Sequence, residues 1–183
     1  MLARACQMCY TLVYHMMDER GGVWTAMRYE TRCAQETFAL GEELGRAAHP
    51  GQVYALTGGL GVGKTVFTQG LASGLGIEEP VRSPTFTILQ VYEEGRLPFY
   101  HFDVYRIADV DEMDEIGYED CFYGAGVSLV EWADLIEEIL PPDVIRVTIE
   151  KDLAGGGPDY RMITIGFPEG EDGIKGIERV GEI

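Results

Sequence analysis

The chain has 183 residues, with 14 basic and 31 acidic side chains and a formal net charge of −17 at pH 7. Its length and its hydrophobic content of 46% suit one globular domain with a substantial core. Nucleic-acid binders usually carry a basic face, so this charge balance argues against extensive direct contact with RNA or DNA. No apolar run approaches the roughly 20 residues that cross a bilayer, and we expect no membrane association.

The first segment, residues 1–26, is moderately apolar but is interrupted by polar residues such as Arg4 and His15. It lacks a signal-peptide core and cleavage site. We interpret it as a leader without assigned chemistry, either poorly ordered or forming an extra helix. A domain is predicted over residues 27–167, and residues 168–183 are predicted to be an acidic, flexible tail.

The four cysteines, Cys6, Cys9, Cys33 and Cys121, are irregularly spaced. The spacing Cys6-x-x-Cys9 is half of a zinc or redox motif, but no second pair completes it. This usage is typical of reduced thiols, and we expect a cytoplasmic protein.

The predicted domain begins with a short strand over residues 27–31 and a helix over residues 35–48, in which Leu40 and Leu44 recur at helical spacing. A buried strand over residues 52–56 follows and leads into a glycine-rich stretch and a second helix. After them we predict a β-hairpin over residues 87–105 and an acidic helix over residues 109–117. A strand over residues 127–131, a helix over residues 132–140 and two strands over residues 144–150 and 160–165 complete the prediction.

The glycine-rich stretch, Gly58-x-x-x-x-Gly63-Lys64-Thr65, matches the phosphate-binding loop G-x-x-x-x-G-K-[ST]. Glycines let the backbone lie close to a polyphosphate, and the amides of such a loop and of the helix behind it bind anions. Lys64 is expected to reach the β- and γ-phosphates and Thr65 to ligate Mg²⁺. A glycine-rich turn is the alternative, but the flanking strand and helix favour a nucleotide site.

Strands that alternate with helices around this loop predict an α/β fold. We expect a P-loop NTPase-like three-layer sandwich, in which helices flank a central mixed β-sheet.

Two carboxylates are candidates for the acidic part of a magnesium site. Asp103 interrupts an apolar strand, and Glu131 closes the strand over residues 127–131. Ligands of open α/β sheets collect at such strand ends. The alternative for each is a solvated acid, but a phosphate-binding loop in the same domain favours a role beside Mg²⁺, which takes one or two carboxylates.

Three further residues near these motifs are ambiguous. His101 is interpreted as a structural strand residue, and Trp132 as a core or docking aromatic. Thr85, after Ser83-Pro84, is either a switch residue that senses the γ-phosphate or part of an ordinary turn.

The identity of the nucleotide base is inferred from the absence of a guanine-specificity motif in the sequence. No Asn-Lys-x-Asp guanine motif is found, and Glu150-Lys151-Asp152 is the nearest fragment. ATP is therefore preferred over GTP.

Together these motifs resemble the bacterial TsaE (YjeE) family, the ATPases of tRNA threonylcarbamoyladenosine biosynthesis, over residues 27–167. They are Leu40-Gly41-Glu42-Glu43-Leu44, Gly58 to Thr65, Ser83-Pro84-Thr85-Phe86-Thr87, His101-Phe102-Asp103-Val104-Tyr105-Arg106 and Val130-Glu131-Trp132. The resemblance implies a weak ATPase that uses ATP and Mg²⁺ and supports or resets the TsaD–TsaB complex. That complex installs threonylcarbamoyl on the adenosine next to the anticodon, so contact with tRNA is expected through the partners.

The resemblance also implies roles for individual residues. Leu60, Gly61, Val62, Gly63, Lys64 and Thr65 are expected to wrap the phosphates. Thr65 and Glu131 are implied Mg²⁺ ligands, and Asp103 is implied in the Walker-B-like position, beside the metal or its water. The resemblance further implies that Ser83-Pro84-Thr85 is a switch-like segment. It also implies that Thr37 lies near the adenine and Arg161 near the nucleotide.

Two departures from the family pattern stand out. Gly59 replaces an Asp that is common in family loops, which removes one carboxylate beside the phosphates, and the leader is additional. A P-loop small-molecule kinase is an alternative, although the scarcity of basic residues between the loop and Glu131 disfavours an arginine-rich lid. A nucleotide-dependent interaction module without significant turnover is the third hypothesis.

Overall fold

The computed structural model describes residues 9–17, 23–151 and 157–168. Eight strands form one mixed sheet. They are, in chain order, β1 (Cys9–Met17), β2 (Val23–Thr31), β3 (Val53–Thr57), β4 (Leu89–Tyr92), β5 (Phe99–Asp103), β6 (Val127–Glu131), β7 (Ile145–Glu150) and β8 (Arg161–Pro168). Their order across the sheet is β1-β2-β8-β7-β3-β6-β5-β4. The four strands β7, β3, β6 and β5 run parallel, and the strands outside them pair antiparallel.

Helices cover both faces of this sheet. They are α1 (Ala34–Ala47), α2 (Lys64–Gly74), α3 (Glu112–Ile116), α4 (Tyr118–Phe122) and a 3₁₀ helix (Ala133–Ile139). Successive side chains of a strand point to opposite faces. Leu56 of β3 accordingly packs in one core with α1 and α2, while Ala55 packs in a second core with α3, α4 and the 3₁₀ helix. These three layers confirm the predicted α/β class. Within the described residues, no helix is both long and apolar enough to cross a membrane.

The leader differs most from expectation. A helix was one option for it, but residues 9–17 form β1, which pairs antiparallel with β2. Strand β2 begins at Val23, so the predicted boundary between residues 26 and 27 falls inside a strand. The division into leader and domain stays a prediction. Residues 169–183 of the predicted tail lie outside the described residues, as does Cys6.

Two other elements are shorter or less regular than predicted. Strand β4 starts at Leu89 and β5 ends at Asp103, both inside the hairpin that was predicted over residues 87–105. Ile88 adopts φ 65°, which ends the extended conformation directly before β4. The segment after Glu131 is a 3₁₀ helix that starts at Ala133 and is interrupted by non-helical angles at Ile136, where we expected one continuous helix from residue 132.

Helices α1 and α2 approach each other closely because glycines face the contact on both. A Cβ at Gly45 of α1 would lie 2.1 Å from the Leu71 carbonyl oxygen, and a Cβ at Gly70 of α2 would lie 2.1 Å from that of Phe38. Real side chains do not tolerate such distances, so each glycine is required by packing. Since α2 starts at the phosphate-binding loop, this contact also fixes the direction in which the helix points its N-terminus.

Replacing Gly70 with alanine is expected to destabilise the protein by about 2 kcal/mol. The added methyl group forces the helices apart, which costs about 1–3 kcal/mol, and the better helix propensity of alanine offsets at most about 1 kcal/mol. Urea unfolding followed by circular dichroism measures the change. Gly166→Ala is the control, because its Cβ would meet its nearest neighbour at 3.7 Å, an ordinary contact. Equal stabilities of the two variants would contradict the packing argument.

Candidate functional site

The glycine-rich loop joins the carboxyl end of β3 to the start of α2. Gly63 is the N-cap of α2 and has φ 111°, and no side chain caps the helix. The first amides of a helix lack partners within it and carry the positive end of its dipole. A Cβ at Gly63 would meet nothing within 4 Å, so there is open space beside this residue. The loop can therefore present amides to an anion.

Residues of two strands, β7 and β8, contact this loop. A Cβ at Gly58 would lie 2.3 Å from the carbonyl oxygen of Ile149 on β7, so the loop lies directly against that strand. From β8, Arg161 donates a hydrogen bond from Nε to the carbonyl oxygen of Val62 at 2.6 Å. The other bonds of the guanidinium go to the carbonyls of Pro158 and Tyr160. Arg161 thus contacts the loop itself.

The ammonium group of Lys64 lies against the loop and against an aromatic ring. Its Nζ donates to the carbonyl oxygens of Gly58 at 2.7 Å and Gly59 at 3.1 Å, and lies 3.6 Å from the ring centroid of Trp132. Burial lowers the pKa of Lys64, whereas the nearby carboxylates of Glu131 and Asp103, and then Asp134, act in the opposite direction. The amino group of Lys64 is therefore held between acidic groups and the loop.

Asp103 and Glu131 end two adjacent parallel strands. They are paired in register across β5 and β6, and each is only 3% exposed. Strand β6 also pairs with β3, which feeds the loop, so both carboxylates lie at the edge of the sheet where the loop begins. A buried carboxylate needs hydrogen bonds or a cation, because burial disfavours its charge.

The hydrogen bonds of Asp103 come largely from the segment before β4. Its Oδ2 accepts bonds from the hydroxyl groups of Ser83 and of Thr85, the latter at 2.6 Å. Its Oδ1 accepts the amide of Tyr105 at 3.1 Å. Asp103 therefore connects the sheet to the segment that was predicted to be either a switch or a turn.

Glu131 has different partners. Its Oε1 lies 3.0 Å from Nε2 of His101 on β5 and 3.4 Å from the hydroxyl of Thr68 on α2, which also donates to the Lys64 carbonyl oxygen at 3.0 Å. Both partners are fully buried. These contacts fix the carboxylate between a strand and the helix that follows the loop.

These groups converge on one open cleft of about 350 Å³. Most residues of the predicted site line it: Leu60, Gly61, Gly63, Lys64, Thr65, Asp103 and Glu131. Ser83, Thr85, Tyr105 and Trp132 complete much of the wall. Such a volume is within the range of small-molecule sites.

Other predicted residues do not line this cleft. Gly58 contributes its carbonyl to Lys64, and Val62 is buried beneath the loop. Thr37 is also buried, and its hydroxyl bonds to that of Thr31 at 2.8 Å. The structure thus gives no support for an adenine contact by Thr37, which stays a prediction.

Two polar residues, one beside Glu131 and one outside the cleft but close to the loop, were not predicted from the sequence. Thr68 lies one helical turn after Lys64, and that spacing could have indicated its position beside Glu131. Lys151 follows β7, and its Nζ lies 3.7 Å from where a Cβ of Gly61 would be. The position of Lys151 directly after a strand that ends beside the loop could have indicated this contact.

The cleft suits a divalent cation only together with a ligand. Among the described residues, no group of three or more His, Cys, Asp or Glu side chains is placed to hold a metal. Mg²⁺ commonly binds through one or two carboxylates and the phosphates of a nucleotide. The donors at this cleft, two carboxylates and the Thr65 hydroxyl, fit that pattern.

A phosphate-binding loop between a central parallel strand and a helix, with acidic residues ending the neighbouring strands, defines a protein of the P-loop NTPase class. The family described as "Threonylcarbamoyl adenosine biosynthesis protein TsaE" matches residues 31–156. The chain belongs to the TsaE family, as its motifs predicted.

Similar proteins agree with this assignment. The tRNA threonylcarbamoyladenosine biosynthesis protein TsaE of Bacillus subtilis is 46% identical over 138 residues, which cover 75% of this chain and 84% of the relative. The TsaE of Treponema pallidum is 44% identical over 139 residues, covering 76% of this chain and 99% of the relative. The crystal structure of Bacillus subtilis YdiB superposes with a TM-score of 0.70 at 39% identity, covering 86% of this chain and 95% of that one.

Proposed function

We propose that this member of the TsaE family is a Mg²⁺-dependent ATPase that supports threonylcarbamoylation of tRNA together with a TsaD–TsaB complex. The observation that carries the proposal is the convergence of Lys64, Thr65, Asp103 and Glu131 on one cleft beside an uncapped helix N-terminus. Cation, hydroxyl, carboxylates and free amides are together the groups that phosphoryl transfer from a nucleotide requires.

Each group has a role in this proposal. The amides of the loop and of the first turn of α2 bind the phosphates, and Lys64 supplies positive charge to the β- and γ-phosphates. Thr65 and Glu131 would hold Mg²⁺, which would supply positive charge beside the phosphates. Asp103 orients and polarises a water molecule, since Ser83, Thr85 and the Tyr105 amide already fix its carboxylate.

The surface around the cleft supports a protein partner. Leu60 on the loop is 89% exposed, and Phe86 on the segment after Thr85 is 84% exposed. Exposed apolar side chains mark an interaction surface where they form a contiguous patch, and we propose that Leu60 and Phe86 belong to the surface that contacts the partner. A net charge of −17 makes the partners the better candidates for contact with tRNA.

The decisive experiment measures ATP hydrolysis with and without the TsaD–TsaB pair. Stimulation by the pair is expected. Transfer of phosphate to a metabolite would instead support the kinase hypothesis. Nucleotide-dependent complex formation without hydrolysis would support an interaction module.

Glu131→Ala is expected to weaken Mg²⁺-dependent nucleotide binding by about tenfold or more, while binding without Mg²⁺ changes little. The reason is that Glu131 is proposed to contact the metal, and not the phosphates. Titration calorimetry with ADP, with Mg²⁺ or with EDTA, measures both affinities. Glu137→Ala is the control, because Glu137 pairs with Arg146 away from the cleft. Equal losses with and without Mg²⁺ would remove Glu131 from the metal site.

A further inference from the structure

His101 is a fully buried polar residue directly behind the proposed metal site. It lies on β5, two residues before Asp103 and therefore on the same face of the sheet. Its ring stacks on Phe99, with centroids 6.0 Å apart and planes 18° apart. Its Nε2 lies 3.0 Å from Oε1 of Glu131. This contact is its one polar side-chain contact within the described part of the chain.

The direction of this hydrogen bond follows from the chemistry of its partners. An ionised carboxylate only accepts hydrogen bonds, so the proton must be on Nε2 of His101. Nδ1 is buried and has no partner among the described residues. A proton there would be an unsatisfied buried donor, which is more costly than an unpaired acceptor. The contacts of the ring therefore require a proton on Nε2.

The bond constrains how Glu131 is oriented. His101 and Thr68 meet at the same oxygen, Oε1, and His101 is the nearer donor, because the single hydroxyl proton of Thr68 is shared with the Lys64 carbonyl oxygen at 3.0 Å. No described residue donates a hydrogen bond to Oε2, and Glu131 lines the cleft. One carboxylate oxygen is thus held by the protein, and the other remains available to a ligand in the cleft.

We propose that His101 is a positioning residue that fixes the carboxylate of Glu131 in the orientation that binds the Mg²⁺–nucleotide. The proposal rests on the proposed function, since it assumes that this cleft binds a nucleotide with Mg²⁺. Removing a residue that orients a metal ligand through a hydrogen bond typically changes metal affinity by about 10–100-fold. A purely structural histidine would affect stability without changing the dependence on Mg²⁺.

The test compares two amide substitutions of similar size. In His101→Gln the amide nitrogen can occupy the position of Nε2 and still donate to Glu131, whereas the shorter side chain of His101→Asn cannot reach it. We expect His101→Asn to raise the Mg²⁺ concentration for half-maximal ADP binding about tenfold and His101→Gln to raise it less than about threefold. Calorimetric titration of ADP at a series of Mg²⁺ concentrations measures this midpoint. Affinity for ADP in EDTA is expected to be the same in all three proteins.

Coupling to Glu131 provides a second measurement. In a protein that already carries Glu131→Ala, His101→Asn is expected to leave the Mg²⁺ midpoint unchanged, because the group that it orients is absent. If His101→Asn does not fold, His101→Phe replaces it, since it keeps the stacked ring and also lacks the donor.

The outcomes separate the two proposals. A wild-type protein that binds ADP equally with and without Mg²⁺ would overturn the proposed function, and this inference with it. Mg²⁺-dependent binding in the wild type with an unchanged midpoint in His101→Asn would overturn the inference alone. Equal shifts in the Gln and Asn variants would also overturn it, because the donor would then not matter.

Discussion

Replacing Lys64 with alanine is expected to reduce ATP turnover at least about 100-fold, measured as phosphate release in the presence of the TsaD–TsaB pair. Removing a single preorganised group that stabilises transition-state charge costs about 10²–10³ in rate. Among the described lysines, Lys64 is the one that lines the cleft. Its ammonium is held beside the loop by two loop carbonyls and the ring of Trp132.

The loss of Lys64 also changes the balance of charge at the cleft. Asp103 and Glu131 both interact with its cation. Without it, a polyphosphate would approach two buried carboxylates with no fixed positive side chain between them, and like charges in a poorly solvated site repel strongly. Nucleotide affinity without Mg²⁺ is therefore expected to fall as well.

Lys151→Ala is the matched control for charge. It removes a second lysine close to the loop, but that side chain is exposed and does not line the cleft, so solvent screens its charge. We expect its effect on turnover to be less than about tenfold. Unchanged turnover in Lys64→Ala would contradict the proposed site, and an equal effect of both variants would show that only general charge matters.

The features that the sequence predicted well depend on local patterns. The loop motif fixes the geometry between β3 and α2, because its glycines and the following helix are contiguous in the chain. Glu131 was singled out because it ends an apolar run and Asp103 because it interrupts one, and parallel strands bring their carboxyl ends to one edge of the sheet. Sequence spacing therefore contained enough information for the loop and for both acidic residues.

The features that were missed depend on tertiary contacts. Residues 9–17 form an edge strand through pairing with β2, although Tyr10, Thr11, Val13 and Tyr14 are residue types that favour strands. The burial of Thr37 with Leu40, Gly41 and Leu44 on α1 was likewise not predicted, and its contact with the adenine stays a prediction. The contact between His101 and Glu131 crosses from one strand to the next, which no spacing along the chain specifies.

Asp103→Asn is expected to reduce hydrolysis at least about 100-fold while nucleotide binding changes less than about threefold. Asparagine has nearly the same shape as aspartate, and its oxygen can still accept the amide of Tyr105. Its NH₂ group can donate to the hydroxyl groups of Ser83 and Thr85, which are able to accept as well as donate. The segment is therefore expected to keep its position. The substitution mainly removes the negative charge that is proposed to polarise water.

Single-turnover hydrolysis and calorimetric ADP titration separate the two effects of Asp103→Asn. Thr85→Val is the matched variant, because it keeps the charge of Asp103 and removes one of the hydroxyl groups that hold it. We expect a smaller decrease in hydrolysis for Thr85→Val, about tenfold, through a less restrained carboxylate. If Asp103→Asn lost binding and hydrolysis to the same extent, Asp103 would be assigned to holding the nucleotide. If Thr85→Val had the larger effect, the position of the segment would matter more than the charge of Asp103.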